Sequence, residues 1–375
     1  MEEVVEVAVR GESLIRALEE WAPPALAVER DPIGLQVGDP GAEVTGVLVT
    51  LDVTEEVVDE ALRLGANWIV SHHALIYRPL HHLRGDRPAG RLAAKLLKNG
   101  INVYVAHTNL DTAAGGVNDV LAEKLGLENA EVLAPHFRER LKKIVVFVPE
   151  DHHMNVLNAM CEAGAGWIGN YSHCTFNSRG TGTFLPREGT NPYIGQQGKL
   201  EQVEEVRLET IVPESAQARV VQAMLEAHPY EEVAYDIYPL DLPGRSFGLG
   251  RIGRLPEKTR LKDLAERVKQ AYGIPALRLV GDPDRPVSTV AVLGGSGGRY
   301  ARTALERGAD VFITGDIDYH TALDALAAGL ALIDPGHHVE RLVLERVCQI
   351  LREKWAPPGM KVVPTNVHRD PFQFL

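Results

Sequence analysis

Residues 60–73 read EALRLGANWIVSHH, and residues 303–316 read TALERGADVFITGD. Each stretch has the pattern of a helix end, a Gly-Ala turn, an apolar strand and then polar residues. Gly65-Ala66 falls on Gly308-Ala309 at an offset of 243. Upstream, the apolar run 46–51 falls on 289–294 at the same offset. Downstream, LKNGINVYVAHTNLD (97–111) falls on LAAGLALIDPGHHVE (326–340) at an offset of 229, so Asp111 is the counterpart of Glu340. The 14-residue difference fits an insertion around 78–90. Strand, helix, strand, helix, strand in each half predicts parallel sheets with crossover helices. Functional side chains then gather beyond the carboxyl ends of the strands, where two related halves can face one another across a shared site.

The middle of the chain carries a different repeat. VVFVPEDHHMNVLNAMCEA (145–163) resembles LETIVPESAQARVVQAMLEA (208–227), aligning Val148-Pro149-Glu150 with Val212-Pro213-Glu214. Each copy reads as a strand stopped by Val-Pro and followed by an amphipathic helix, since proline cannot continue a central strand. Doubled β-α-β units predict a ferredoxin-like sandwich. The expected fold class is therefore α/β: two related β-α-β halves (1–134 and 244–375) form one metal-binding domain, interrupted by a ferredoxin-like α+β domain (135–243).

Bulk properties agree with this and exclude other classes. The 375 residues are too many for one ordinary core. A net charge of -12 disfavours backbone binding to nucleic acids and adhesion to anionic membranes, which need a basic face. The Met1-Glu2-Glu3 start is acidic where a secretory signal would be basic, and no apolar run is long enough to span a bilayer. The three cysteines, Cys161, Cys174 and Cys348, form neither a disulfide framework nor a zinc motif. A cytoplasmic protein is expected.

Three segments carry chemistry. Val70-Ser71-His72-His73 delivers two adjacent imidazoles at a strand end, where both rings can reach one cluster; imidazole suits metals such as zinc and iron(II). His107 and Asp111 follow the apolar run 101–105. Asp111 can bridge two metals, and His107 can ligate or orient a ligand. Taken alone, Asp111 reads better as a helix N-cap. In Asp334-Pro335-Gly336-His337-His338-Val339-Glu340, before a helical stretch 341–354, His337 and Glu340 at i, i+3 share a face, leaving His338 as a neighbour. The repeat register joins the three segments into one site: His72, His73, Asp111, His337 and Glu340. Five ligands with two carboxylates exceed a closed structural zinc site and suit two divalent metals about 3.5–4 Å apart. Zinc or iron comes first, with manganese a further candidate. His107, Asp52 and His338 are candidates for moving protons. Gly294-Gly295-Ser296-Gly297-Gly298 reads equally as a phosphate-holding turn or as a tight turn, and Thr314-Gly315-Asp316 falls where the first half has Ser71-His72-His73.

GLQVGDP (34–40), SHHALIYRPL (71–80), AHTNLDTAAGGVN (106–118), TGDIDYH (314–320), DPGHHVE (334–340) and the C-terminal DPF (370–372) resemble the NIF-three-like family, also called GTP cyclohydrolase 1 type 2 homologues. GNYSHCTF, GTGTF, NPYIG and HPYEE in the insert resemble the CutA/PII-like domain of the longer bacterial members. The resemblance implies a dinuclear metal site on His72, His73, Asp111, His337 and Glu340, and toroidal hexamers with the metals facing an inner cavity. Ala74 stands where the family usually has Pro, and Pro32 where it has Asn; neither is a ligand. Two functions fit: a metal-dependent hydrolase acting on a nucleotide-like or phosphorylated small molecule, or a non-catalytic metal-trafficking or regulatory protein.

Overall fold

The structure is a computed structural model and describes residues 9–367 and 369–374. The acidic start Met1-Glu2-Glu3 lies outside them. The chain forms two compact units, one of Met1–Phe137 with Phe247–Leu375 and one of Arg138–Ser246. Together they make a mixed α/β fold with three sheets among the described residues.

The first sheet contains β1 (Gly34–Val37), β2 (Gly46–Thr50), β3 (Trp68–Ser71), β4 (Asn102–Val105) and β15 (Lys361–Pro364), in the order β1-β4-β3-β2-β15. The second contains β5 (Glu128–Arg138), β10 (Ser246–Arg260), β11 (Arg278–Val280), β12 (Pro286–Ser296), β13 (Val311–Gly315) and β14 (Ala331–Asp334), in the order β11-β14-β13-β12-β10-β5. β2, β3 and β4 are parallel, as are β12, β13 and β14. Their registers repeat. Val47 pairs with Trp68 as Val290 pairs with Val311, and Trp68 pairs with Asn102 as Val311 pairs with Ala331. These pairs obey the offsets of 243 and 229.

The sheets are not purely parallel. β1 and β11 close equivalent edges in antiparallel fashion, and β10 runs antiparallel to β12. The halves also exchange strands: β15, from the C-terminal segment, pairs with β2, and β5 joins the second sheet. Pro135 lies within β5, an edge strand, where a missing N–H is tolerated.

Local signals explain the repeated helix. Helix Glu55–Leu64 starts where the Thr54 hydroxyl accepts from the Val57 N–H, carries Glu55 and Glu56 in its first turn and Arg63 in its last. It stops at Gly65, whose φ of 72° is left-handed; the counterpart Gly308 has φ 81°.

Both sheets are covered on both faces. Val47, Val49, Trp68, Val70 and Tyr104 of the first sheet share one core with Val290, Val292, Val311, Ile313 and Ile333 of the second, filled by helices Gly11–Trp21, Val117–Lys124, Leu261–Tyr272 and Leu344–Lys354. Alternate residues Leu48, Ile69 and Val103 face Val57, Ala61 and Leu96 of two outer helices, and Ala291, Phe312 and Leu332 face Ala304 and Ala325. Arg251 of β10, buried, donates to Asp119 Oδ2 at 2.8 Å and to the Gly250 carbonyl at 2.9 Å, tying that strand to helix Val117–Lys124.

The second unit contains β6 (Leu141–Pro149), β7 (Thr175–Phe184), β8 (Glu201–Pro213) and β9 (Tyr235–Leu240) in the order β7-β8-β6-β9. All neighbours are antiparallel, and helices His153–Glu162 and Gln217–Ala227 give the order βαββαβ. That is the split β-α-β arrangement of a ferredoxin-like sandwich. β6 and β8 both end on the proline of the Val-Pro pair. No helix among the described residues is long and apolar enough to cross a membrane.

Candidate metal centre

The site stands at the carboxyl ends of the parallel strands in both sheets. His72 and His73 follow β3, their amides held by the carbonyls of Thr50 and Leu51. After β4, His107 caps a short helix, Thr108–Thr112, and Asp111 lies on it rather than at its N-cap. After β14 the chain turns at Gly336 into a 3₁₀ segment, His337–Val343, and the α-helix starts only at Leu344. In a 3₁₀ helix residues i and i+3 eclipse, so His337 and Glu340 share a face more closely than an α-helical turn would bring them.

These side chains converge. His73 Nε2 lies 3.0 Å and His337 Nε2 3.1 Å from the same oxygen of Glu340, Oε2. His72 Nε2 lies 3.7 Å from that oxygen and 3.5 Å from Asp111 Oδ1. His107 joins them, its ring centroid 5.2 Å from that of His72. Among the described residues, three overlapping groups could hold a metal ion: His72, His73 and His107; His73, His337 and Glu340; His72, Asp111 and Glu340.

Each imidazole is aimed by a bond at its other nitrogen. His72 Nδ1 donates to the Ala106 carbonyl at 2.9 Å, which requires a proton on Nδ1 and turns Nε2 inward. His73 Nδ1 meets Asp52 at 2.9 Å, His107 Nδ1 meets Asp31 at 2.8 Å, and His337 Nδ1 meets Asp316 at 2.7 Å. Such partners fix the tautomer and orientation of metal-ligating histidines.

The electrostatics demand positive charge. A neutral His73 or His337 bonded to a carboxylate through Nδ1–H turns a lone pair on Nε2 toward Glu340. Protons or cations must relieve that repulsion. Burial opposes charge on His73, yet Asp52 and Glu340 raise it to about 10. The bond to Glu340, aided by Asp316 against burial, raises His337 to about 9. His72 is also raised: burial opposes this, but Asp111 and Glu340 outweigh it. Burial pushes Asp111 up to about 6 against the pull of His72. Glu340 stays well below the usual carboxylate range despite its burial, held there by His337, His72 and His73. Within the cluster, two buried ligand atoms, His72 Nε2 and Asp111 Oδ1, have no hydrogen-bond partner.

The glycine run at the end of β12 serves this cluster. A Cβ on Gly295 would lie 2.6 Å from Glu340 Oε1 and 3.2 Å from His337 Nε2, and one on Gly297 would lie 2.3 Å from Thr314 Oγ1. The Gly294 N–H donates to Asn118 and the Gly297 N–H to Thr314. Those amides are therefore not available to a phosphate; the glycines admit neighbouring side chains instead. Asn118 also donates to the Asp111 carbonyl, clamping the first half to the second.

Sequence reasoning missed Asp31. Its side chain is nearly inaccessible and accepts from His107, from the Thr108 N–H and from the Thr108 hydroxyl; against the opposing effect of burial, these bonds hold its carboxyl below the usual range. A lone Asp before a proline in a loop offers no periodic or spacing signal. Asp316, which the sequence only placed with Thr314-Gly315 opposite Ser71-His72-His73, is the partner of His337. His338 belongs to none of the three groups, and the exposed pair His81-His82 lies outside them too.

The family model for Duf34/NIF3 (NGG1p interacting factor 3) matches residues 9–371. A GTP cyclohydrolase 1 type 2 homolog of Halalkalibacterium halodurans is 50% identical over 369 residues, 97% of this chain and 99% of that protein. Its counterpart from Bacillus subtilis is 47% identical over 370 residues, covering 98% and 99%. The crystal structure of a Bacillus cereus protein related to NIF3 superposes with a TM-score of 0.91 at 50% identity, covering 98% of this chain and 100% of that one.

Proposed function

The chain belongs to the Duf34/NIF3 family, and from that premise we propose that it is a dinuclear divalent-metal protein acting as a metal-dependent hydrolase on a nucleotide-like or phosphorylated small molecule. The observation that carries the metal reading is the pair of buried, unpartnered ligand atoms, His72 Nε2 and Asp111 Oδ1, beside Glu340. Buried polar atoms are rarely left unbonded, and a cation between them removes the cost.

Charge supports two ions rather than one. The four imidazoles are ringed by five carboxylates, those of Asp31, Asp52, Asp111, Asp316 and Glu340. With neutral imidazoles, two divalent ions bring the cluster to within one charge of neutrality; one ion leaves it three short. His72, His73, Asp111, His337 and Glu340 would hold the metals, with His107 as a further ligand. Zinc or iron suits this nitrogen and oxygen set, and manganese is the next choice. Bound divalent ions would supply Lewis acidity toward a phosphoryl or carbonyl oxygen and activation of water. The protein's part is orientation: Asp52, Asp31, Asp316 and the Ala106 carbonyl hold the four Nε2 atoms inward.

One observation favours the second reading, a non-catalytic metal carrier or regulator. Asp52 and His107, two of the candidates for moving protons, are both engaged in the imidazole–carboxylate bonds that orient the cluster. The deciding experiment is turnover by zinc-, iron- and manganese-loaded protein on a panel of nucleotides, phosphoesters and cyclic amides. Metal-dependent hydrolysis lost in Asp111→Asn supports the enzyme. A fully loaded protein inactive across the panel supports the carrier. The proposal extends to a cytoplasmic homo-oligomer, hexameric by family resemblance. Exposed Tyr319, Leu323 and Leu326 along helix Tyr319–Ala327 offer an apolar contact stripe. The Arg138–Ser246 unit, with its βαββαβ order, is proposed as the CutA/PII-like insert.

A further inference from the structure

Three of the four motifs read in the Arg138–Ser246 unit, residues 180–184, 191–195 and 228–232, are unused by the metal centre. They meet at one cavity of about 680 Å³. Its floor is the face of the sheet opposite the helices. Ile144, Val146 and Val148 of β6 and Val206 and Leu208 of β8 pack into the helix-covered core. Strand alternation therefore sends Phe147, Glu205 and Arg207 to the other face.

Two glycines shape that floor. Gly180 pairs directly with Glu205, and a Cβ on it would meet nothing within 4 Å. A Cβ on Gly182 would lie 2.1 Å from Glu205 Oε2, so glycine there lets the carboxylate lie across the strand. The roof is the connection between β7 and β8. It is folded back by bonds from the Gly198 N–H to the Pro186 carbonyl (2.9 Å) and from Gln197 to the Thr190 carbonyl (2.7 Å). Aromatic walls complete the space: the Phe184 and Tyr230 rings are 5.9 Å apart, and those of Tyr193 and Tyr230 6.3 Å.

The charges of the lining are uneven. Arg207 is paired with Glu209 at 3.1 Å, and Arg179 is paired with Glu150. Among the described residues, the Glu205 side chain accepts only from the neutral Tyr230 hydroxyl, at 3.0 Å, and that of Glu231 only from the Asn191 N–H, at 3.0 Å. Among the described residues no lysine or arginine pairs with either. Arg187, on the exposed part of the roof, reaches neither of them. A half-buried carboxylate without a counter-charge is costly, and the faces of aromatic rings attract cations. A bare metal ion does not suit a cavity this large with aromatic walls, since hard cations require several oxygen ligands at close range.

We propose that this cavity binds a small organic cation, a protonated amine or amidinium on an apolar body, with its charge on Glu205 and its body between Phe184, Tyr193 and Tyr230. The site lies within one unit and does not depend on the reading of the metal centre.

The test is calorimetric titration of the full-length protein with benzamidine, its neutral isostere benzamide and the anion benzoate. Benzamidine binds once per chain and at least about tenfold more tightly than either of the others. Glu205→Gln keeps an amide oxygen for the Tyr230 hydroxyl but removes the charge, and reduces benzamidine to the affinity of benzamide. Gly180→Leu projects into open space from an ordinary strand conformation and abolishes binding, while the circular dichroism and metal content of the protein stay unchanged. Should Glu205→Gln fail to fold, Gly180→Leu decides alone: lost binding supports the site, and retained binding overturns it. Benzamidine that fails to bind, or that binds no better than benzamide or benzoate, also overturns the proposal.

Discussion

Loading the proposed metal centre must expel protons, and the geometry says how many. His73 and His337 each turn one nitrogen to an outer carboxylate and the other to Glu340 Oε2. Without metal both rings are held as imidazolium, at about 10 and about 9. At about pH 7.5 both rings are therefore mostly protonated. Asp111, at about 6, has already lost nearly all of its proton. Metal ligation needs the lone pair on Nε2, so at least two protons leave per loaded chain, and His72 adds to them because its proton is also held more tightly than usual. The sign follows. Protons compete with the metal until the pH passes the raised values, so apparent affinity grows with pH, by about a hundredfold per unit near neutrality. It levels off above about pH 10. The assay is titration calorimetry of metal-stripped protein in buffers of different ionisation enthalpy, whose slope reports the protons released. A slope near zero, with affinity flat between about pH 7 and 8.5, would refute the claim that the metal-free cluster carries imidazolium ions.

Other consequences follow from single contacts. Gly295→Ala places a methyl 2.6 Å from Glu340 Oε1 at a backbone φ of +63°; it should cost about 1–3 kcal/mol in urea unfolding and weaken metal binding, and a fully stable, fully loaded variant would contradict the cradle. Asp119→Ala strands the buried Arg251 guanidinium and should destabilise the first unit by about 3–5 kcal/mol, read from the denaturant midpoint. Excising residues 141–240 with a short linker should leave metal content unchanged. The ends of that unit already touch, with the Glu139 N–H on the Arg245 carbonyl at 2.9 Å; an unfolded, metal-free product would show that the remainder does not fold alone.

The repeat made the central topology legible because related βαβ units keep their register: the offset aligning Gly65 with Gly308 also aligns the Val47–Trp68 and Val290–Val311 pairs. The strand exchange was not legible. β15 is four residues long, and its pairing with β2 lies over 300 residues away in sequence, which no local pattern encodes. In the site, adjacency after a strand singled out His72 and His73, and i, i+3 spacing singled out His337 and Glu340. The geometry adds His107 to these groups, a residue for which the sequence left ligation and orientation both open. Asp31 and Asp316 act through histidines 76 and 21 residues away in their own halves, so their roles exist only once each half has folded. The glycine-rich turn read equally as a phosphate holder or a tight turn for a related reason: a glycine that admits Glu340 reads the same as one that admits a phosphate.

The central claim is that His72, His73, His107, Asp111, His337 and Glu340 enclose two divalent ions. Anomalous diffraction from crystals of metal-loaded protein, collected across the zinc, iron and manganese edges, tests it most directly. The account predicts two peaks per chain between these side chains, both absent from crystals of the His72→Ala, Glu340→Ala double variant. A loaded crystal with no peak at this cluster, or peaks that persist in the double variant, would contradict it.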